Sequence, residues 1–195
     1  GADGSGPGAR VAVDNRGSVY GMTPTGGANG LGTIYALRPK SNGSWALRVI
    51  HTFTGGSDGS SGSAGKLLLR GGRIYGAATT GGANGAGVVF ELTPTRSGEW
   101  GFKTLYSFKG APDGVFPYGA LLFDAGGKLY GTTYYGGTND LGTVYQLSRS
   151  GGGGWTEKVL YSFEAGSDGN SSISNLVADA SGNLYGTTSE GGLGS

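Results

Sequence analysis

The sequence contains no cysteine and a single histidine. Without cysteine the chain forms no disulfide bond, has no thiolate metal site and has no cysteine nucleophile. One histidine, His51, is too few for the usual zinc ligand sets and argues against a Ser-His-Asp triad. These absences remove several common classes of enzyme and metalloprotein.

An excess of charge and long apolar runs are also lacking. Fourteen basic and thirteen acidic residues leave a net charge of +1, and no basic run is present. We therefore expect no nucleic-acid partner and no anionic membrane surface. No apolar run approaches the roughly 20 residues of a membrane-spanning helix, so no membrane span is expected either.

Proline is scarce and glycine abundant, with 6 and 45 residues respectively. Average glycine usage is about 7%, so glycine is enriched roughly threefold. Collagen is excluded because the Gly-X-Y period is missing. Disorder is disfavoured because apolar runs such as Leu67-Leu68-Leu69 and 21 aromatic residues (3 Trp, 11 Tyr and 7 Phe) are spread along the chain. The composition is typical of a β protein dense in turns.

A tandem repeat with a period of 55 residues and no insertion runs through the whole sequence. Three dipeptides recur with this period. Asp-Gly begins at Asp3, Asp58, Asp113 and Asp168, Tyr-Gly at Tyr20, Tyr75, Tyr130 and Tyr185, and Gly-Gly at Gly26, Gly81, Gly136 and Gly191. The recurring aromatic positions are Trp45, Trp100 and Trp155, and Phe53, Phe108 and Phe163. We divide the chain into units 1–55, 56–110 and 111–165 and a half unit 166–195, together one repeat domain.

Each unit is predicted to contain four antiparallel strands. In the third unit they cover 120–123, 128–133, 142–148 and 155–163, separated by Gly/Asn/Asp/Ser clusters. Trp155, Val159, Tyr161 and Phe163 are expected on one face of the fourth strand. Four-stranded antiparallel units joined by short links predict an all-β fold, a β-propeller that is incomplete in this chain. A parallel β-helix is the structural alternative, although its coils are usually shorter.

The fourth copy stops after its second predicted strand. Such an edge would leave backbone groups unpaired and open to pairing with another strand. We expect that the polypeptide continues beyond Ser195 with further repeats, or that another chain completes the last unit.

The run GKLYGTTYYGGTNDLGTVYQLS, followed by WTEKVLYSF and GSDG, resembles the GloVer tandem repeat of bacterial surface proteins. The segments AVDNRGSVY and VADASGNLY are also similar to NHL-type propeller blades. The resemblance covers all three copies and the half copy, and it implies a secreted or cell-surface location. No activity is assigned to the repeat, so no catalytic residues are carried over and we expect no enzyme.

Two sets of periodic residues are candidate ligand contacts. The tyrosines Tyr20, Tyr75, Tyr130 and Tyr185, with Asn29, Asn84 and Asn139 nearby, could form one shallow sugar-stacking site per unit. The alternative for the tyrosines is packing between units, with the hydroxyl satisfied by hydrogen bonds. The glycines that follow them, Gly21, Gly76, Gly131 and Gly186, predict close approach of another group to the backbone.

The recurring Asp3, Asp58, Asp113 and Asp168 stand before glycine. This is ordinary turn chemistry, in which the carboxylate accepts nearby backbone N–H groups. The alternative is a weak Ca²⁺ site at each turn, the one cofactor we consider. His51, at the position of Tyr106 and Tyr161, is interpreted as a packing residue.

We therefore expect a non-catalytic scaffold that binds protein or other ligands through repeated, multivalent surfaces. A carbohydrate-binding, lectin-like propeller is the first alternative. A structural subunit of a larger extracellular assembly is the second. The partner in each case is a protein or glycan on a surface.

Overall fold

The computed structural model is built almost entirely of antiparallel β-strands. It describes residues 1–8, 10–62, 65–164, 166–172 and 174–192. Within these residues the one helical element is a single 3₁₀ turn, Gly166–Asp168. The described residues contain no helix with the length and apolar character needed to cross a membrane. The all-β prediction is confirmed.

The first sheet follows the chain order β1-β2-β3-β4. Its strands are β1 (Ala12–Val13), β2 (Val19–Thr23), β3 (Thr33–Pro39) and β4 (Trp45–Thr52). The β1–β2 hairpin is closed by Asp14, whose Oδ1 accepts the backbone N–H groups of Arg16 and Ser18 at 2.9 and 2.8 Å. This is the Asx-type turn expected of an aspartate at the start of a hairpin turn.

The second and third sheets repeat this order, but their first strand is divided into two pieces that both pair with the second strand. The second sheet contains β5 (Ser60–Gly62), β6 (Leu68–Arg70), β7 (Arg73–Thr80), β8 (Val88–Pro94) and β9 (Trp100–Ser107). The third contains β10 (Gly114–Pro117), β11 (Leu122–Phe123), β12 (Leu129–Gly136), β13 (Thr143–Arg149) and β14 (Trp155–Ser162). The four predicted strands of the third unit are present, and β10 is an addition. Its sequence GVFP lacks the alternation of apolar and polar residues that indicates a longer strand, so the sequence pattern does not predict β10.

A two-stranded sheet, β15 (Val177–Ala178) and β16 (Leu184–Tyr185), ends the described chain. It corresponds to the first two strands of a further unit. Residues 193–195, where the half unit ends, lie outside the described residues.

A β-bulge in the fourth strand corrects the prediction that its aromatic residues share one face. Tyr145 pairs with Val159 and Val144 pairs with Tyr161, so Leu160 is the extra residue. Neighbouring residues of a strand point to opposite faces, so Tyr161 lies on the face opposite Val159. The same shift occurs between Ile34 and Tyr35 and between Val89 and Phe90.

The bulge lets one strand serve two interfaces. Trp100 and Phe102 of β9 join the core cluster shared with the first sheet. Leu105 and Tyr106 of the same strand, with the following Phe108, join the cluster shared with the third sheet. Successive sheets are therefore packed face to face.

Candidate functional site

The periodic tyrosines occupy different environments. Tyr20 and Tyr75 are buried. The ring of Tyr20 meets Trp100 of the next sheet edge-on at 6.2 Å, and Tyr75 meets Phe123 at 4.9 Å. Their ring faces are not presented to a ligand, so for these two residues the sugar-platform prediction is corrected in favour of inter-sheet packing. Tyr130 is half-buried, whereas 53% of Tyr185 is exposed.

Hydrogen bonds to a hairpin aspartate hold three of these tyrosines. Their hydroxyls donate to the Oδ2 atoms of the aspartates six residues earlier, at 3.1, 3.0 and 2.9 Å for Tyr20–Asp14, Tyr130–Asp124 and Tyr185–Asp179. Burial and then the Asp14 carboxylate raise the pKa of Tyr20. The hydrogen bonds that Asp179 accepts from Asn183 and then Tyr185 lower its pKa to about 2.

The second unit has Leu69 where the other units have Asp14, Asp124 and Asp179. In this unit the carboxylate near the tyrosine comes from another strand. Glu91 on β8 lies opposite Tyr75 and forms an ion pair with Arg73. Burial and then Glu91 raise the pKa of Tyr75. The tyrosine position therefore keeps an acidic neighbour in every unit.

The three asparagines have structural contacts. The Nδ2 atoms of Asn29, Asn84 and Asn139 donate to the backbone carbonyls of Phe53, Phe108 and Phe163, at 2.9, 3.1 and 3.4 Å. These bonds join the glycine-rich loop after the second strand to the residue that follows the fourth strand. The asparagines do not converge with the tyrosines on one site.

The Asp-Gly aspartates close the turn after the fourth strand. The Oδ2 atoms of Asp58, Asp113 and Asp168 accept the backbone N–H four residues earlier at 2.9–3.1 Å. The same oxygens bind the side chain seven residues earlier, namely His51 Nε2 at 3.0 Å, Tyr106 at 2.8 Å and Tyr161 at 2.6 Å. The described residues contain no group of three or more His, Cys, Asp or Glu side chains arranged for a metal ion. For Asp3, the backbone carbonyl accepts the Thr33 hydroxyl at 3.0 Å.

His51 also packs as an aromatic ring. It stacks on Phe102 of the second sheet with ring centroids 4.1 Å apart. Burial lowers its pKa, although the charge and hydrogen bond of Asp58 act in the opposite direction. These contacts match the packing role expected from the sequence.

Four aromatic side chains that do not recur in the repeat lie together on the third sheet. We call Phe116, Tyr118, Tyr134 and Tyr135 the aromatic cluster. Ring centroids are 5.9 Å apart for Phe116–Tyr135, 4.6 Å for Tyr134–Tyr135 and 6.4 Å for Tyr118–Tyr134. With Thr79 and Thr80 of the second sheet, the rings line an open cavity of about 480 Å³.

The additional strand β10 brings this cluster together. Its pairing with the end of β12 sets Val115 opposite Tyr135 and Pro117 opposite Thr133. Phe116 has a φ of 57°, in the left-handed region that bulky residues rarely adopt. Gly6 and Ser171, at the same position of the repeat, have φ angles of 66° and 55°. The fold therefore imposes this backbone conformation, and the third unit places a phenylalanine there.

A departure from the repeat was the sequence signal for the aromatic cluster. The positions of Phe116 and Tyr118 hold Gly6 and Gly8 in the first unit. Those of Tyr134 and Tyr135 hold Thr79 and Thr80 in the second. These aromatic residues do not recur along the chain, so the repeat pattern does not indicate them.

A second departure is Glu157 on β14, at the position of Leu47 and Phe102. Burial and then the nearby Asp113 raise the pKa of Glu157 to about 7, while Lys109 acts in the opposite direction. Among the described residues its buried Oε1 has no hydrogen-bond partner. A carboxyl group with this pKa can exchange a proton near neutrality.

Comparison with known proteins supports the fold and the repeat. A crystal structure of a protein of unknown function from Dyadobacter fermentans is similar, with a TM-score of 0.50 and 14% identity. The similarity covers 93% of this chain and 62% of that one, so the chain spans less than two thirds of its length. No curated protein matches the sequence.

The recurring strands, the glycine-rich loops and the Asp-Gly turns are the features by which the sequence resembled a bacterial tandem repeat. A model of the Gloeobacter/Verrucomicrobia repeat matches residues 6–195. This match includes every sheet from β1 to β16 and confirms the resemblance. The protein accordingly belongs to the Gloeobacter/Verrucomicrobia repeat family.

Proposed function

We propose that this chain is a non-catalytic binding module of the cell surface, built as a section of a β-propeller with 55-residue blades. Face-to-face packing of successive four-stranded sheets supports the propeller arrangement. The ligand contacts the aromatic cluster. One observation carries this proposal: Phe116 holds a left-handed backbone conformation at a position where the first unit has Gly6.

Strain of this kind persists where a side chain is needed for another purpose. A bulky residue in the left-handed region costs about 1–3 kcal/mol, which glycine would avoid. The ring of Phe116 extends the cluster rather than the hydrophobic core. A ligand-contact role explains why this position holds an aromatic ring in the third unit, whereas the equivalent residues are Gly6 in the first unit and Ser171 in the half unit.

The absence of catalysis remains part of the proposal. Asp58, Asp113 and Asp168 are engaged by backbone N–H groups and by the side chain at the end of each fourth strand. Glu157 is the best-placed acid for an enzyme, and we assign it to sheet packing. The check is a panel of glycoside and ester substrates tested with the native chain and with Glu157→Gln. Turnover that disappears in the variant would contradict a non-catalytic role.

The experiment on binding uses the immobilised chain against an array of neutral oligosaccharides, proline-rich peptides and quaternary ammonium compounds. We expect saturable retention of one of these classes. Retention of none of them, with the folded state verified by circular dichroism, would reject the binding-module proposal.

A separate observation supports a structural role in a larger assembly. A cavity of about 600 Å³ lies between the third sheet and the β15–β16 pair, lined by Leu160, Tyr161, Leu176 and Leu184 among others. Strands from another polypeptide could pair with the two-stranded sheet and fill this space. Native mass spectrometry tests this role: a defined species larger than the 19.5 kDa chain supports it, and a single monomeric species contradicts it.

A further inference from the structure

We infer that the aromatic cluster is a binding site for an uncharged carbohydrate, whose pyranose rings lie against the faces of Phe116 and Tyr135. The inference rests on the proposed binding function and adds the chemical class of the ligand. Nothing in the periodic pattern of the sequence assigns this site.

The exposed ring of Tyr135 and the half-buried ring of Phe116 provide the apolar contacts for the ligand. Tyr135 is 40% exposed, and the cavity is open to solvent beside it. Aromatic rings contribute large contact areas with little conformational freedom to lose. A pyranose has one face of C–H groups that removes apolar surface from water when it lies on such a ring.

The polar half comes from uncharged hydroxyl groups. Thr79 and Thr80 line the same cavity, and the tyrosines carry phenolic O–H groups that donate and accept. Thr80 Oγ1 is held in place by Ser60, whose Oγ lies 2.7 Å away. Sugar hydroxyls can pair with groups of this type around the ring edge.

The lack of charge in the cavity lining narrows the class of ligand. All six lining residues (Thr79, Thr80, Phe116, Tyr118, Tyr134 and Tyr135) are uncharged. Phosphate and carboxylate ligands are usually held by Arg or Lys, and nucleic acids by basic grooves. A neutral ligand with an apolar face and several hydroxyl groups fits the lining best.

The cluster is held on a rigid support. The backbone N–H of Phe116 donates to the carbonyl of Ala86, in the loop between β7 and β8, at 3.0 Å, and that of Tyr118 donates to the carbonyl of Thr132 at 3.3 Å. The rings are thus positioned before a ligand arrives, which reduces the entropy lost on binding.

The inference is tested by isothermal titration calorimetry with those neutral oligosaccharides that the immobilised chain retains. Tyr135→Ala removes the exposed ring of the cluster. Tyr185→Ala is the comparison variant, because Tyr185 is the most exposed of the periodic tyrosines and lies on β16, so it tests the competing sugar site. Phe116→Gly is the second test variant, since glycine suits the left-handed backbone and the sheet should fold at least as well. We expect Tyr135→Ala and Phe116→Gly to weaken sugar binding tenfold or more and Tyr185→Ala to leave it unchanged.

The outcomes separate this inference from the proposed function. Retention of proline-rich peptides or ammonium compounds, but of no sugar, would overturn the carbohydrate assignment and keep the binding module. Sugar binding that is lost in Tyr185→Ala but kept in Tyr135→Ala and Phe116→Gly would place the site on the two-stranded sheet and overturn the inference. Retention of no ligand class would contradict both the binding-module proposal and the carbohydrate assignment.

Discussion

At the scale of the residue, each of the three sheets packs a glycine of its second strand directly against an aromatic ring of its third strand. A Cβ atom at Gly21, Gly76 or Gly131 would overlap the ring of Tyr35, Phe90 or Tyr145 respectively. Tyr145 is fully buried in the core between the second and third sheets. The predicted close approach to these three glycines is confirmed, and it dictates that no larger residue fits there.

Gly131→Ala tests this packing. The added methyl group must displace the Tyr145 ring, so we expect a loss of about 1–3 kcal/mol in the free energy of unfolding. Urea unfolding gives the measurement. Gly151→Ala is the control, because a Cβ there meets nothing within 4 Å, and its unfolding midpoint should stay within error of the native value. Equal effects of the two substitutions would contradict the packing argument.

The raised pKa of Glu157 makes stability depend on pH. The native state keeps this carboxyl protonated up to a pKa of about 7, whereas its ordinary value is 4.5. Between these values the native state binds more protons than the unfolded state, so stability falls as pH rises through this window. Glu157→Gln removes this dependence. The side chain is partly exposed and screened, so we expect the variant to be about 1–2 kcal/mol more stable at pH 8 and nearly equal at pH 4.

Urea titrations of both proteins at pH 4, 5, 6, 7 and 8 measure this difference. The stability curve of the variant should be flatter than that of the native chain. Parallel curves, or a variant that is less stable at pH 8, would show that Glu157 is not desolvated between the sheets.

At the scale of the element, hydrogen bonds connect the loop between the second and third strands of each sheet to the end of the fourth strand. Asn84, in the loop between β7 and β8, donates to the carbonyl of Phe108 at 3.1 Å. Phe108 in turn donates its N–H to Gly87 in the same loop at 3.0 Å. The two bonds fix the loop against the end of β9 and explain why an asparagine recurs there.

Asn84→Ala breaks one of these bonds. We expect a stability loss of about 1 kcal/mol and faster amide exchange at residues 81–87, measured by hydrogen–deuterium exchange. Asn15→Ala serves for comparison, because Asn15 is exposed in the β1–β2 turn. In this variant the amides of residues 81–87 should exchange at the native rate. Unchanged protection in the loop of Asn84→Ala would mean that backbone bonds alone hold it.

At the scale of the whole molecule, equivalent residues differ by whether a neighbouring sheet covers them. Trp155 packs against the second sheet and is only 8% exposed. Trp45 occupies the same position on the first sheet, yet 52% of it is exposed on a face that no described sheet covers. The stability of each unit therefore depends on its neighbours, as in other repeat proteins.

Comparison of Trp155→Ala with Trp45→Ala measures this dependence. Truncation of a buried tryptophan costs about 3–5 kcal/mol, so Trp155→Ala should lower the unfolding midpoint strongly. Trp45→Ala should change the free energy of unfolding by less than about 1 kcal/mol, as at other surface sites. Similar losses at the two positions would show that the first sheet packs against something in solution.

The sequence by itself determined the local and periodic features. It predicted the repeat family, the antiparallel strands, the Asp-Gly turns and the close approach at Gly131, because each depends on residues near one another in the chain or 55 positions apart. Hydrogen bonding within the turns and the two-residue alternation of strands act over short distances. The propeller and the cell-surface location remain proposals.

The tertiary structure decided which faces are buried and where the aromatic residues meet. The bulge at Leu160 turns Tyr161 away from Val159, and strand alternation alone does not reveal such a shift. Packing of the next sheet buries Tyr20 and Tyr75. The pairing of β10 with β12 assembles the aromatic cluster from residues about 17 positions apart. Strand register and contact between sheets are set by the whole fold, which is why a periodic reading of the chain could not locate this site.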